Sequence, residues 1–235
     1  MYNELIDKLQ EETQNLGLAE ALVFVAEKFK GKTVFSTSFG IEDQVITDAI
    51  FRSKADVKLF TLDTGRLFEE TYEVYSRTVS RYKLAIVPYY PNQDEIQEFV
   101  VKKGINSFYE SVENRKECCR IRKIEPLKKA LAGAEIWITG IRAEQSENRK
   151  DFHLFEYDES FKLIKFNPLL LWTEQEVTDY VKANSVPYNP LHDKGFVSIG
   201  CAPCTRAIEP GEDFRAGRWW WEDSKKECGL HSHQN

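Results

Sequence analysis

Short apolar runs alternate with helical stretches between about residues 31 and 141, and this alternation limits the folds that the chain can adopt. The runs are KTVFSTSFG, VKLFTLDTG, LAIVPYYP and EIWITGI, and amphipathic segments separate them. Strands connected through helices indicate parallel pairing, because a parallel connection must cross from one end of the sheet to the other. The sequence therefore predicts an α/β fold, an open and mostly parallel sheet with helices on both faces.

The two ends of the chain extend this pattern. Apolar spacing before residue 30 predicts two helices broken near Gly17. FKLIKFNP predicts a further strand, and Thr173 with Glu176 forms a capping box for a helix that ends before the prolines of NSVPYNPL. The residues after Gly195 show little periodicity. We expect an α/β domain over residues 1–200 and a site-forming C-terminal segment over residues 201–235.

Composition excludes several classes of protein. The 235 residues carry a net charge of −6, which disfavours a nucleic-acid-binding protein. A membrane span is not expected because no run of 18 apolar residues exists, and the polar N-terminus does not read as a signal peptide. We therefore expect a cytoplasmic protein. Five cysteines in a reducing compartment indicate metal binding or redox chemistry rather than a disulfide framework.

Four cysteines fall into two pairs. Cys118 and Cys119 are adjacent within NRKECCRIRK, and Cys201 and Cys204 form a Cys-x-x-Cys in GCAPCTR. Four thiolates can bind a structural zinc ion or a 4Fe–4S cluster, and a lone Cys-x-x-Cys can also be a redox pair.

The adjacent pair favours iron over zinc. Neighbouring residues of a helix point about 100° apart, so they reach one small ion awkwardly but can bind different irons of a cluster. The surrounding Arg and Lys residues complement an anionic cluster. The alternative is a solvated basic helix face that holds two inert thiols.

The fifth cysteine, Cys228, lies near the end of the chain in KKECGLH. Lys225, Lys226 and His231 would raise its thiolate fraction, and Gly229 gives the backbone local freedom. A nucleophile on a movable tail and an ordinary exposed cysteine both fit this segment.

Two segments at strand ends are candidates for anion binding. In STSFGIEDQ, Ser36 and Ser38 offer hydroxyls, Gly40 allows close backbone approach, and a helix N-terminus follows. This is not the P-loop of nucleoside triphosphatases, and a tight turn without a ligand is an equal alternative. The second segment, FTLDTGRLFEETY, carries Asp63 and Gly65 after its strand, where ligands of open α/β sheets bind.

Several arginines point to an anionic substrate. Arg142 lies in TGIRAEQS, and Arg215 and Arg218 in GEDFRAGRWWWE fall on one side if that segment makes a helical turn. Any one of them could instead be a solvated surface residue. Trp219, Trp220 and Trp221 are expected to be core or interface aromatics.

Together these motifs resemble the assimilatory adenylyl-sulfate reductases, the cluster-bearing branch of the phosphoadenylyl-sulfate reductase family. The resemblance runs from about residue 31 to 231 and includes CCRIRKIEPL, WITGIRAEQS, GCAPCTR and ECGLH in the family's order. It implies an adenine nucleotide alpha hydrolase-like fold for the nucleotide-binding domain.

The resemblance also implies roles for individual residues. The four paired cysteines match the ligands of a 4Fe–4S cluster, Cys228 matches the nucleophile, and His231 belongs to the same tail motif. The substrate-site cations it implies are Lys123, Arg142, Arg215 and Arg218. The substrate-binding residues it implies, on two strand-end loops, are Ser36, Ser38, Phe39, Gly40, Asp43, Thr61, Leu62, Asp63 and Gly65.

The activity implied is reduction of adenosine 5′-phosphosulfate to sulfite and AMP in sulfate assimilation for cysteine biosynthesis. Thioredoxin or glutaredoxin would be the thiol donor, and we expect a homo-oligomer. Reduction of 3′-phosphoadenosine 5′-phosphosulfate is a close alternative, although the branch that uses it usually lacks the cysteine pairs. More distant alternatives are an ATP-dependent tRNA-modifying enzyme of the same fold and a non-catalytic zinc module.

Overall fold

The computed structural model describes residues 2–145, 149 and 151–222. In chain order its regular elements are α1 (Tyr2–Thr13), α2 (Leu18–Lys28), β1 (Thr33–Ser36), α3 (Ile41–Ser53), β2 (Lys58–Leu62), α4 (Glu69–Tyr82), β3 (Ile86–Tyr89), α5 (Gln93–Lys103), α6 (Val112–Cys119), α7 (Glu125–Ala130), β4 (Ile136–Ile138), β5 (Phe155–Asp158), β6 (Leu163–Phe166) and α8 (Glu174–Asn184). Gly17 precedes α2, and Thr173 forms the predicted capping box of α8 with Glu176. No helix among the described residues is both long and apolar enough to cross a bilayer.

The strands form one six-stranded sheet in the order β3-β2-β1-β4-β6-β5. β1 pairs in parallel with β2 and β4, and β4 pairs in parallel with β6. The predicted α/β class with a mostly parallel sheet is therefore confirmed. The strand order turns back on itself between β1 and β4, and this is the position where open α/β sheets bind ligands.

The antiparallel edge strand β5 is absent from the sequence prediction. Its four residues include Glu156 and Asp158, and acidic residues are unfavourable in strands. Lys165 of β6 pairs directly with Glu156 in the register, and its Nζ lies 2.6 Å from an Asp158 oxygen. This buried pairing compensates for the acidic side chains, and the sequence alone does not reveal it.

The described residues pack into two compact units. The first comprises residues 2–61, 69–87 and 131–190, and its apolar core includes Leu22, Phe35, Ile46, Ile138 and Phe166. The second comprises residues 62–68, 88–130 and 191–222, and its core contains Phe99, Phe108, Trp219 and the four paired cysteines. The boundary predicted near residue 200 is a different division of the chain, and it stays a prediction.

Candidate active site

The loop after β1 is held in shape by its own residues. The carboxylate of Asp43 accepts hydrogen bonds from the Ser38 backbone N (2.6 Å) and Oγ (2.7 Å). Phe39 adopts a φ of 61°, its ring is 1% exposed, and it stacks on Tyr75 with centroids 4.7 Å apart. Ser36 Oγ accepts a hydrogen bond from Trp137 Nε1 at 2.7 Å. The Phe39 side chain is thus part of the core, so ligand contacts of this residue fall to its main chain.

The turn after β4 lies against this loop in the first unit. Gly140 lies so close to Asp43 that a Cβ built on it would be 2.2 Å from Asp43 Oδ1. Arg142 Nε donates to Glu42 Oε1 at 2.9 Å, and Arg142 Nη1 lies 3.1 Å from Glu144 Oε2. The structure therefore brings together Ser38, Asp43 and Arg142 at the reversal of strand order, as the strand-end argument predicts. It also places Arg142 in ion pairs that the sequence does not reveal.

Burial dominates the electrostatics of Asp43. Desolvation raises the pKa of its carboxyl from 3.8 to about 6, against the lowering effect of the two hydrogen bonds from Ser38. The nearby Glu42 charge raises the pKa further, and Arg149 lowers it. A partly protonated carboxyl would repel an anion less than a fully ionised one.

The strand end after β2 forms a tight turn. Thr61 is buried in the first unit, and Leu62 is the last residue of the strand. Asp63 Oδ1 accepts a hydrogen bond from Gly65 N at 2.8 Å, and Gly65 has a φ of 70° that favours glycine. In the second unit this turn presents Thr64, whose hydroxyl lies 3.2 Å from Cys201 Sγ.

All four paired cysteines are buried and line one cavity in the second unit. Cys118 and Cys119 end α6, and a π-helical turn, Arg120–Ile124, follows them. Such turns are rare in proteins, and those that occur are frequently found at functional sites. Pro126 accounts for the irregularity, because it lacks the N–H that a regular α-helix would direct to the carbonyl of Arg122.

The Cys-x-x-Cys reaches the same cavity from a short 3-10 turn, Ala202–Cys204. Ala202 N donates to Arg66 O at 2.8 Å, which ties this turn to the loop after β2. Tyr109 Oη donates to Pro203 O at 2.6 Å. The two cysteine pairs are therefore brought together, as the sequence predicts.

Burial makes thiolates unfavourable here unless a cation or metal compensates. Desolvation raises the pKa of Cys204 to about 12, and the neighbouring Cys201 adds to the rise while Lys123 opposes it. Desolvation also raises the pKa of Cys118, with Arg122 opposing. Four buried sulfurs at close quarters are thus suited to sharing a positively charged inorganic centre.

Basic and aromatic side chains complete the cavity lining: Arg66, Arg115, Arg122, Lys123, Phe108 and Trp219. Arg122 Nη1 donates to the carbonyl of Thr64 at 2.6 Å. The basic run around Cys118 signals a cationic setting, but it does not reveal which cations turn inward. Local sequence patterns do not single out the Thr64 hydroxyl, because Thr64 and Cys201 are 137 residues apart in the chain.

The donor set of this cavity is compatible with an iron–sulfur cluster. The buried Nε1 of Trp219 has no hydrogen-bond partner within the described ranges, and a donor in a cavity wall suits an anionic group. Among those residues, no group of three or more Cys, His, Asp or Glu is arranged to hold a single metal ion. The fit therefore rests on four thiols, the surrounding cations and this indole N–H.

Arg215 and Arg218 are buried in the second unit, 8% and 6% exposed. Arg218 N donates to Arg215 O at 2.9 Å, so the segment forms a turn. Arg218 also packs against Gly200, where a Cβ would lie 2.3 Å from Nη2. In the run of three tryptophans at 219–221, Trp219 is core and Trp220 is 40% exposed. Cys228 and His231 lie outside the described residues.

Comparison with known proteins gives a consistent family. Residues 32–207 match the phosphoadenosine phosphosulfate reductase domain. An adenosine 5′-phosphosulfate reductase of Sinorhizobium fredii is 50% identical over 95% of this chain and 89% of its own length. One of the same name from Agrobacterium fabrum is 52% identical over 92% of this chain and 83% of its own.

Solved structures show the same fold. A phosphoadenylyl-sulfate reductase from Candida auris, in a phosphate complex, has a TM-score of 0.73 at 31% identity, with 87% of this chain and 97% of that chain covered. A flavin mononucleotide adenylyltransferase of Candida glabrata has a TM-score of 0.54 at 14% identity, with 97% of this chain and 76% of that chain covered. The second likeness concerns the fold alone.

Proposed function

Because this chain belongs to the phosphoadenosine phosphosulfate reductase domain family, we propose that it reduces adenosine 5′-phosphosulfate to sulfite and AMP. The relatives named for this activity, at about half identity over most of the chain, support the reaction. The cavity with four buried thiols carries the choice of substrate, since the branch that uses the 3′-phosphorylated nucleotide usually lacks these cysteines.

The first chemical step is assigned to Cys228. Its thiolate attacks the sulfuryl sulfur, an S–S bond forms, and the S–O bond to the phosphate breaks. AMP leaves with the bonding electron pair, and Cys228 becomes an S-sulfocysteine. Lys123, Arg142, Arg215 and Arg218 are the proposed cations that stabilise charge on the phosphosulfate and the leaving group. Removal of one such contact typically costs about 10²–10³ in rate.

The second step requires an external dithiol of the thioredoxin or glutaredoxin class. One of its thiolates attacks Cys228 Sγ, and sulfite leaves with the electrons of the S–S bond. The second thiol then resolves the mixed disulfide, so the donor is oxidised to a disulfide and Cys228 returns to a thiol. The two electrons that reduce the sulfur come from this donor.

The residues that would hold a 4Fe–4S cluster are Cys118, Cys119, Cys201 and Cys204. When bound, the cluster would supply structural and electrostatic support rather than electrons. Lys123 lines the same cavity, and we assign it the role of linking that charge to the substrate anion. Lys123→Ala should therefore lower turnover while the cluster absorbance is retained. Full turnover in that variant would contradict the assigned role.

A second candidate function is reduction of 3′-phosphoadenosine 5′-phosphosulfate. This candidate is supported by the likeness to the phosphoadenylyl-sulfate reductase of Candida auris, at 31% identity. We also propose a cytoplasmic location, where thiol donors are kept reduced, and a homo-oligomer.

Sulfite release tests the proposal directly. The cluster-loaded protein is mixed with each nucleotide and reduced thioredoxin, and Cys228→Ser is run in parallel. We expect faster release from the 3′-unphosphorylated nucleotide and none from the variant. Faster release from the 3′-phosphorylated nucleotide would reverse the substrate assignment, and equal turnover by the variant would remove Cys228 from its role.

A further inference from the structure

A buried ion pair lies at the start of the segment that carries Cys228. Glu222 accepts two hydrogen bonds from Arg115, Nε to Oε1 at 3.0 Å and Nη2 to Oε2 at 2.8 Å. Both side chains are only 3% exposed. This two-point contact fixes the orientation of both groups as well as their distance.

The turn that ends at Glu222 is strained and held from several sides. Trp219 has a φ of 41°, which is uncommon for a bulky residue. The backbone N–H of Trp219 donates to Cys204 O at 3.3 Å, and Glu222 N donates to Trp219 O at 2.9 Å. The guanidinium of Arg115 lies 4.8 Å from the centre of the Trp219 ring. A strained backbone persists only where its surroundings determine it, and Arg115 contacts both ends of this turn.

Arg115 also belongs to the helix that presents the cysteine pair. α6 carries Arg115, Cys118 and Cys119, and Arg115 lines the four-cysteine cavity. The same helix therefore holds two proposed cluster ligands and the residue that grips Glu222.

We propose that Arg115 and Glu222 are positioning residues that fix the point from which the Cys228 segment starts. Cys228 follows Glu222 by six residues in the sequence, and six residues of extended chain span at most roughly 20 Å. A fixed start confines the thiol to a smaller volume and raises its effective concentration at the substrate. This inference rests on the proposed function, because it concerns the rate at which Cys228 reaches the sulfuryl group.

Stability alone explains this pair poorly. Replacing a buried ion pair by apolar residues of similar volume is often neutral or stabilising, whereas removing one partner is costly. The directional contact supplies what an apolar pair lacks, which is a defined orientation of the chain at Glu222.

The test compares two reactions of the same thiol in the cluster-loaded protein. Sulfonation of Cys228 by adenosine 5′-phosphosulfate is followed in a single turnover, and alkylation of Cys228 by iodoacetamide is followed separately. Glu222→Gln and the paired variant Arg115→Met with Glu222→Leu both remove the charged contact. The matched control is Glu212→Gln, which breaks an exposed two-point pair with Arg206 in the same unit.

Sulfonation should slow at least tenfold both in Glu222→Gln and in the paired variant. Alkylation should stay within twofold of the wild-type rate, and the cluster absorbance should be unchanged. Glu212→Gln should sulfonate at the wild-type rate. A paired variant that is as stable as wild type and sulfonates at the wild-type rate would overturn the proposal, as would an equal fall in alkylation. Absence of sulfonation in the wild-type protein would instead contradict the proposed function.

Discussion

Asp43 accepts two hydrogen bonds from Ser38, one from the backbone N at 2.6 Å and one from Oγ at 2.7 Å. This contact closes the loop after β1 upon the first turn of α3. It determines which groups remain for a ligand: the Ser38 hydroxyl is already donated to the carboxylate, and Gly40 N has only a long contact to Ser38 Oγ at 3.4 Å. The loop is therefore shaped in advance of binding.

The raised pKa of Asp43 makes its contribution to stability depend on pH. Folding favours the protonated carboxyl, since the pKa is about 6 in the folded protein and 3.8 without burial. The stabilisation is fully present below about pH 4 and is lost as the pH rises through about 6. Asp43→Asn stays neutral, so its free energy of unfolding relative to wild type should rise between pH 4 and pH 7, by on the order of 2 kcal/mol. Urea unfolding at several pH values measures this, and a difference that does not vary with pH would contradict it.

Gly140→Ala should destabilise the first unit. The added Cβ would lie 2.2 Å from Asp43 Oδ1, so the carboxylate or the turn after β4 must shift. Such overpacking costs about 1–3 kcal/mol, and thermal unfolding measures it.

The matched control for this change is Gly17→Ala, whose Cβ would lie at an ordinary 3.6 Å from Glu20 Oε2. It should cost about 0.5–1 kcal/mol, because glycine is a better N-cap residue than alanine. Equal losses of stability in the two variants would show that the close approach of Gly140 to Asp43 does not determine the effect.

Arg142 should prove important for folding as well as for any anion that it binds. Arg142→Ala leaves Glu42 buried without its partner, at a cost of about 3–5 kcal/mol in the free energy of unfolding. The paired variant Arg142→Met with Glu42→Leu should recover most of that stability but not sulfite release. Recovery of both would remove Arg142 from the substrate site, and denaturant unfolding run beside the activity assay distinguishes the outcomes.

The metal content of the protein should depend on the four paired cysteines and not on Cys228. The purified protein is expected to be brown, with absorbance at about 400 nm and bound iron and sulfide. Serine at Cys118, Cys119, Cys201 or Cys204 should abolish the colour, whereas Cys228→Ser should keep it. A colourless protein that contains one zinc ion would contradict the cluster.

Much of this fold can be predicted because most of its strands and helix starts are marked by short patterns within their own segments. The runs that form β1, β2, β3, β4 and β6 are apolar enough to be recognised, and Thr173 with Glu176 predicts the start of α8. β5 was missed because its acidic residues are compensated by Lys165, which is opposite Glu156 and forms an ion pair with Asp158. That compensation comes from the neighbouring strand, so no pattern within β5 contains it.

The candidate site divides in the same way. The spacing of the cysteines predicts a shared binding site, and the basic run around Cys118 predicts a cationic cavity. Contacts across long separations are not predicted in this way: the pairing of Arg142 with Glu42 spans 100 residues, and that of Arg115 with Glu222 spans 107. The burial that raises the pKa of Asp43 is also a property of the fold rather than of its neighbours in sequence.

We infer that Cys228 becomes covalently sulfonated during turnover. Mass spectrometry of the C-terminal peptide tests it most directly, after the protein is mixed with adenosine 5′-phosphosulfate in the absence of a thiol donor. We expect a peptide heavier by about 80 Da, the mass of one SO₃ group, and its disappearance with sulfite release when thioredoxin is added. Sulfite formation on adding thioredoxin, with no such adduct on the Cys228 peptide beforehand, would contradict the account.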